Sequence, residues 1–166
     1  MATAPELIDT APDFLLRPMR AADVPEVVGI EGASYQFPWS EGIFRDCLRV
    51  GYVCRVVTQG RAVVAYGVMS VGAGEAHILN LCVEQACRCR GVGKKLLLCL
   101  LERAGAAGMG EAFLEVRPSN IAAIRLYQSL GFEQAGTRRA YYQAVNGRED
   151  AAVLKLALRS PAAPPG

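Results

Sequence analysis

The spacing of apolar positions changes period several times along this chain, and each change predicts an element. Phe14-Leu15-Leu16-Arg17 reads as a short strand. Val24, Val27, Val28 and Ile30 then recur at helical spacing behind Asp23-Val24-Pro25-Glu26, a start that resembles a capping box, and this helix is expected to reach about Gly32. Ile43, Phe44, Cys47 and Leu48 form a second helical face behind Ser40, a suitable N-cap. Phe37-Pro38-Trp39 falls in the loop between the two helices, where the aromatics serve either as a hydrophobic staple or as the lining of a peptide groove. Residues 52–58 and 62–71 are β-rich and flank Gln59-Gly60-Arg61, which predicts a hairpin. Gly72-Ala73-Gly74 turns the chain into a third strand ending at Val83. A leucine-rich helix follows and stops near Gly108.

Ala112 to Arg117 is the next strand, and Ser119-Asn120 caps a helix that runs through Leu130. Gly131 suits the C′ position, with Phe132 placed for the apolar contact of a Schellman ending. Two last strands, 133–143 and 150–158, meet near Asn146-Gly147, a type I′ hairpin signal. Residues 1–12 hold Pro5 and Pro12 without periodicity and read as a flexible arm; residues 160–166 read as a disordered tail. The expected fold is mixed α/β: residues 13–159 as a single domain, with one mainly antiparallel sheet of about six to seven strands flanked by about four helices. The strand–helix–strand unit 75–117 supplies a parallel pair.

Composition narrows the function. The 166 residues are 52% hydrophobic and 20% charged, as in globular chains. A net charge of +2 with no long basic run argues against nucleic-acid binding. No apolar stretch reaches the ~18 residues of a membrane span, and the N-terminus lacks the pattern of a signal peptide. The 6 cysteines form no C-x-x-C and there is 1 histidine, so no metal site is expected. Most cysteines fall in apolar periodic segments and read as small buried residues in a reducing cytoplasm; Cys87 and Cys89 border a glycine turn and are either exposed and oxidisable or, as the plainer reading, structurally indifferent.

That turn is Arg88-Cys89-Arg90-Gly91-Val92-Gly93-Lys94-Lys95, placed between a strand and the start of the leucine-rich helix. The first amides of a helix have no intrahelical partner and can face an anion. Gly91 and Gly93 leave the backbone open to phosphate oxygens, and Arg88, Arg90 and Lys94 add charge. The dinucleotide fingerprint fails because Leu96 stands at its third glycine, and the P-loop fails at Arg88 and Lys95. The remaining pattern, [QR]-x-x-G-x-G opening a long helix, resembles the acetyl-coenzyme A pyrophosphate loop of the GNAT acetyltransferases.

Two further groups suit chemistry. Glu115 shares a strand face with Phe113 and Arg117, where it is either an ion-pair partner for Arg117 or another base, or a carboxylate set to act as a general base. Asn120 and Tyr127 lie two turns apart on one helix face, as cap and core residue or as two contacts to one ligand. The stretch from Leu114 to Phe132 is similar to L-E-V-R-x-S-N-x-A-A-x-x-L-Y-x-x-L-G-F of the RimI-type GNAT enzymes, which acetylate the N-terminal alanine of a small-subunit ribosomal protein. Phe37-Pro38-Trp39-Ser40 resembles the P-W-[ST] loop of that family. Arg138-Arg139-Ala140-Tyr141-Tyr142 with Asn146-Gly147-Arg148-Glu149-Asp150 resembles its R-R-x-Y-Y…D-G-R-E-D segment, with Asn146 in place of Asp.

The resemblance implies acetyl-CoA as co-substrate, without a metal, and direct transfer to an N-terminal α-amine in a ternary complex. Leu81, Cys82 and Val83 would offer backbone groups to the acetyl-pantetheine arm. Arg88, Cys89, Arg90, Gly91, Val92, Gly93 and Lys94 would cradle the pyrophosphate, and Asn120 would hydrogen-bond the cofactor. Glu115 would be the general base, acting through water, and Tyr127 the general acid. Trp39 and Tyr141 or Tyr142 would wall the groove for the N-terminal peptide of a ribosomal protein, in the cytoplasm; the parity of the last strand leaves open which of the two tyrosines faces it. Glu41, Asp46, Glu149 and Asp150 are available to a basic peptide, although solvated surface charge is the plainer reading. The sequence leaves open a GNAT enzyme for a small-molecule amine or internal lysine, a non-catalytic acyl-CoA-binding module, and the oligomeric state.

Overall fold

A computed structural model of the chain describes Glu6–Leu7, residues 13–145 and residues 147–158. These fall into two compact units interleaved in sequence: one holds residues up to Ser70 together with Asn80–Glu102, the other Val71–Leu79 and residues from Arg103 onward.

In the first unit the strand order is β1 (Glu6–Leu7), β2 (Phe14–Pro18), β3 (Val53–Gln59), β4 (Ala62–Gly72) and β5 (Glu75–Val83), whose first half belongs to the second unit. The β1–β2, β2–β3 and β3–β4 pairs are antiparallel, with Leu16 opposite Val57 and Val56 opposite Tyr66. Helices α1 (Val24–Ser34) and α2 (Glu41–Arg49) cover one face of this sheet. Their Val24, Val27, Ile30, Phe44 and Cys47 pack with Cys54, Val56, Tyr66 and Val68. Helix α3 (Val92–Ala106) covers the other face, where Val92, Leu96 and Cys99 meet Phe14, Leu16, Val57, Val64 and Ala65. β4 is therefore buried on both sides, which explains its unbroken apolar run. Gly67 sets the approach of α3: a Cβ there would lie 2.9 Å from Leu100 Cδ1 and 3.1 Å from Leu81 Cδ1.

In the second unit β5 pairs in parallel with β6 (Glu111–Val116), as the strand–helix–strand reading requires. β6 pairs antiparallel with β8 (Gly147–Ala157), and β8 with β7 (Glu133–Ala144). Burial alternates along β6, with Ala112, Leu114 and Val116 inside. Helix α4 (Ile121–Ser129) ends in the expected Schellman motif. The Phe132 N–H donates to Tyr127 O at 3.1 Å, that of Gly131 to Gln128 O at 3.0 Å, and Gly131 has φ +99°.

The eight described strands include seven of five residues or more, and four helices flank them. Several expectations need correction. Glu6 and Leu7 pair with Leu16 and Leu15 inside the stretch read as an arm, a pairing too short to show a period. The rest of that arm, residues 160–166 and Asn146 lie outside the described residues. Strand β8 begins at Gly147, three residues before the expected 150, and Ala144 faces Gly147. Asp23 stands at the N-cap position of α1, but its side chain makes no cap bond there. Its carboxylate instead takes the Arg17 guanidinium at 2.7 and 2.8 Å and the Arg20 N–H at 2.8 Å, while Glu26 accepts the Val63 N–H. Cys87 is 5% exposed; Cys89 alone of the six cysteines is exposed.

Burial by itself would push the Asp23 carboxyl up, but the hydrogen bonds from Arg17 and Arg20 outweigh it and hold the group below the usual range. A carboxyl harder to protonate when folded stabilises above its unfolded value of about 3.9, and that stabilisation fades as pH falls below it. Asp23→Asn is expected to lower stability at pH 7 and to flatten its decline between about pH 4 and 2, read by urea unfolding at several pH values. Gly67→Ala is expected to cost about 1–3 kcal/mol in the same assay. Gly72→Ala, where a Cβ meets nothing within 4 Å, serves as the neutral control.

Candidate functional site

The turn read as a candidate anion site lies where β5 hands over to α3. A short 3-10 turn, Gln85–Cys87, leads into residues 88–91, and Cys89 and Gly91 both take left-handed backbone, φ +63° and +77°. For a cysteine this conformation is strained by about 1 kcal/mol, a cost that sequence reasoning did not foresee. The first turn of α3 follows. Lys95 N–H is bonded to Gly91 O at 3.1 Å, so the amides of Val92, Gly93 and Lys94 precede the hydrogen-bond ladder. Arg88, Cys89, Arg90, Gly91 and Lys94 are exposed around them.

Two residues here do more than expected. Gly93 also permits close packing, because a Cβ at 93 would sit 3.3 Å from Val83 Cγ2 on β5. The Arg88 guanidinium turns back onto the protein, donating to Val83 O at 2.9 Å and Ser34 Oγ at 3.4 Å. On the same strand Leu81 O accepts the Tyr35 hydroxyl at 3.1 Å, and Cys82 is buried.

The loop before α2 is ordered by its cap and by a staple. Ser40 Oγ accepts the Ile43 N–H at 3.3 Å, and Trp39 packs 5.3 Å from Phe44, four residues into the helix. Trp39 is thus half-buried against the core, while Tyr35 and Phe37 stay exposed at 39% and 41%. The loop also depends on Glu31, a residue missed in the sequence, which accepts the Trp39 N–H at 2.9 Å.

The acid–base candidates belong to the second unit. Glu115 lies on the less buried face of β6, and its Oε1 is 3.1 Å from Arg138 on β7. The ion-pair reading was sound in kind, but the partner is Arg138; Arg117 pairs instead with Glu149 at 3.1 Å. Asn120 caps α4, its Oδ1 accepting the Ala123 N–H at 3.2 Å. Tyr127 is 9% exposed with its ring 5.8 Å from Phe132, so the Schellman contact fixes its orientation. Burial pushes the phenol up to about 12. Among the described residues no polar side-chain atom is both buried and without a partner, and none donates to or accepts from the Tyr127 hydroxyl.

Tyr141 and Tyr142 resisted a parity assignment because β7 bulges between Arg138 and Tyr142. Ala140 takes φ +51° there, and Asp150 Oδ1 accepts its N–H at 2.7 Å. The two rings meet edge to face at 4.9 Å. Arg138 stacks on Tyr141 and Arg117 on Tyr142, each 4.5 Å from the ring centroid. Hydrogen bonds from Ser119 and Arg117 hold the Glu149 carboxyl below the usual range. Glu41 pairs with Arg45 and Asp46 with Arg49. All four carboxylates considered for a basic peptide are thus already engaged within the chain. Among the described residues no three His, Cys, Asp or Glu side chains converge as a metal site, and no helix is long and apolar enough to cross a membrane.

The acetyltransferase (GNAT) family model matches residues 16–132. The chain belongs to the GNAT acetyltransferase family. It is 37% identical over 138 residues to ribosomal protein bS18-alanine N-acetyltransferase of Escherichia coli (strain K12), covering 83% of this chain and 93% of that one. The crystal structure of the ribosomal-protein-S18-alanine N-acetyltransferase from Escherichia coli superposes with a TM-score of 0.82 at 35% identity, over 88% of this chain and 94% of that one. That of Ard1 from Thermoplasma volcanium gives 0.80 at 26%, over 88% and 98%. The chain is an acetyl-CoA-dependent N-acetyltransferase, and the open amides of α3 suit the diphosphate of that co-substrate. Gly93→Val, which drives a branched side chain into Val83 at this turn, is expected to weaken acetyl-CoA binding about tenfold or more by calorimetry. Equal affinity would place the diphosphate elsewhere.

Proposed function

We propose that this enzyme acetylates the N-terminal α-amine of a ribosomal protein of the bS18 kind, at alanine, in the cytoplasm. The observation that carries this is the 37% identity across nearly the whole length of a bS18-alanine N-acetyltransferase. The chemistry supports it. An α-amine has a pKa near 7.7–8.0, against about 10.4 for lysine, so freeing it at neutral pH costs roughly 3.5 kcal/mol less. A single carboxylate acting through water suffices for the first far better than for the second. In this reading Glu115 is that base, and the incoming ammonium meets a carboxylate that Arg138 already holds in place.

The amine nitrogen attacks the thioester carbon, the C–S bond breaks, and the proton lost by the amine leaves by way of Glu115. The departing sulfur takes a proton from Tyr127. A phenol pushed up to about 12 is fully protonated at neutral pH and so is ready to donate. Because that value exceeds the ~8.5 typical of a thiol, its proton moves only as negative charge builds on sulfur. Arg88 to Lys94 and Asn120 hold acetyl-CoA, with the Leu81–Val83 backbone along its acyl arm. Trp39, Tyr141 and Tyr142 flank the peptide. The nearest thiol to the acyl strand, Cys82, is buried and has no histidine beside it in sequence, which favours direct transfer over an acyl-enzyme. Residues 13–159 act as one catalytic domain in this proposal.

Purified protein with acetyl-CoA is expected to acetylate an Ala-initiated peptide and to leave the same peptide unmodified once its α-amine is blocked, as read by mass spectrometry. Acetylation of the blocked peptide would move the substrate to lysine. Tyr127→Phe is expected to lower kcat about 10²-fold with little change in acetyl-CoA affinity. An unchanged rate removes Tyr127 from the mechanism.

A further inference from the structure

Glu31 is 2% exposed on α1, where an apolar residue would fill the same space without the cost of burying a carboxylate. Three neutral donors converge on it from three other segments. Oε2 accepts the Trp39 N–H at 2.9 Å; Oε1 accepts the Tyr66 hydroxyl of β4 and Asn80 Nδ2 of β5 at 2.9 Å. Tyr66 is 0% exposed and burial holds its phenol far above the usual range, so it stays protonated and donates to the carboxylate. Asn80 directly precedes the acyl-arm strand Leu81–Val83, and Leu81 O accepts the Tyr35 hydroxyl at 3.1 Å. The loop after α1 is thus tied at Tyr35 to β5 and at Trp39 to Glu31, which itself grips β5.

We propose that Glu31 is a positioning residue: by taking the Trp39 amide it fixes the loop against which the acceptor peptide lies, in register with the strand that carries the acyl group. This rests on the peptide-facing role of Trp39 in the proposed function. Glu31 touches no reactant. A filler of the core would need no acceptor aimed at a loop amide, and a residue that only stiffened α1 would not reach β5.

The pattern of bonds predicts which replacements succeed. In Glu31→Gln the amide nitrogen can take the Oε1 side, since the Tyr66 hydroxyl rotates and Asn80 flips to accept from it. The oxygen then keeps the Trp39 N–H, which has no such freedom. In Glu31→Asp the carboxylate is drawn back by a methylene, and in Glu31→Leu the acceptor is gone.

The test uses the full chain and these three variants, each checked for folding by circular dichroism. KM is measured for an Ala-initiated peptide and for acetyl-CoA, and acrylamide quenching is read from the sole tryptophan. Glu31→Asp, which shortens the side chain, and Glu31→Leu, which removes the acceptor, are expected to raise peptide KM about tenfold while acetyl-CoA KM moves less than about threefold. Their quenching constants should at least double, and Glu31→Gln should stay near wild type in every readout. A folded Glu31→Asp or Glu31→Leu with unchanged peptide KM and quenching would reduce Glu31 to a structural role and overturn the proposal. Hydrogen exchange of the Trp39 amide in the unaltered protein decides the matter even if both variants fail to fold. The proposal requires a protected amide, and exchange at the rate of an open loop overturns it. If the unaltered protein does not acetylate the peptide, the proposed substrate fails separately, and quenching and exchange still decide whether Glu31 sets the loop.

Discussion

The structure depends on how closely α3 lies on the sheet beneath it. A helix can offer its first amides to a ligand only if its start is held still, and here two glycines hold it. Gly67 on β4 lets the middle of the helix descend onto Leu81 and the strand, and Gly93 lets its first turn rest on Val83. Both replace side chains that would lift α3 away. Packing of Val92, Leu96 and Cys99 against β2, β3 and β4 then fixes the axis, leaving the preceding turn to bend through the left-handed Cys89 and Gly91. The basic residues are secondary to this arrangement: the exposed Arg88 turns its guanidinium to Val83 O and Ser34, so the turn is shaped before any anion arrives.

The second unit shows how a fold places the two groups proposed for acid–base work by ordinary means. Tyr127 is held by a helix-ending motif, through the same contact to Phe132 that stops α4. Glu115 is presented by strand alternation and kept by an ion pair on the neighbouring hairpin. Arg138 and Arg117 each join a carboxylate to a tyrosine ring, so the bulged strand that carries Tyr141 and Tyr142 is braced from Glu115 and Glu149. Exposed ion pairs of this kind contribute little stability. Their value here lies in orientation.

Local signals were legible in the sequence. Ser40 as a cap, Gly131 with Phe132 as a helix stop and the alternation through Glu115 follow from residues within a few positions of one another, and the parallel β5–β6 pair follows from the strand–helix–strand order. What escaped was set by distant partners. Asp23 looked like a cap because Arg17, which claims it, carries no mark of that choice. Glu31 gave no local signal, since its partners Tyr66 and Asn80 lie 35 and 49 residues away. The tyrosine pair could not be assigned a face because a bulge gives no periodic signal, and Gly67 gave no hint of its neighbours on α3. Family resemblance supplied the roles of the site residues; their surroundings had to come from the fold.

The most direct test of the account is amide NMR of the 15N-labelled protein during titration with acetyl-CoA. If the diphosphate is gripped by the open end of α3, the Gly91, Val92, Gly93 and Lys94 resonances should show the largest shifts of the whole backbone, saturating together with binding. Tight binding that leaves these four amides in place would contradict the account at its base.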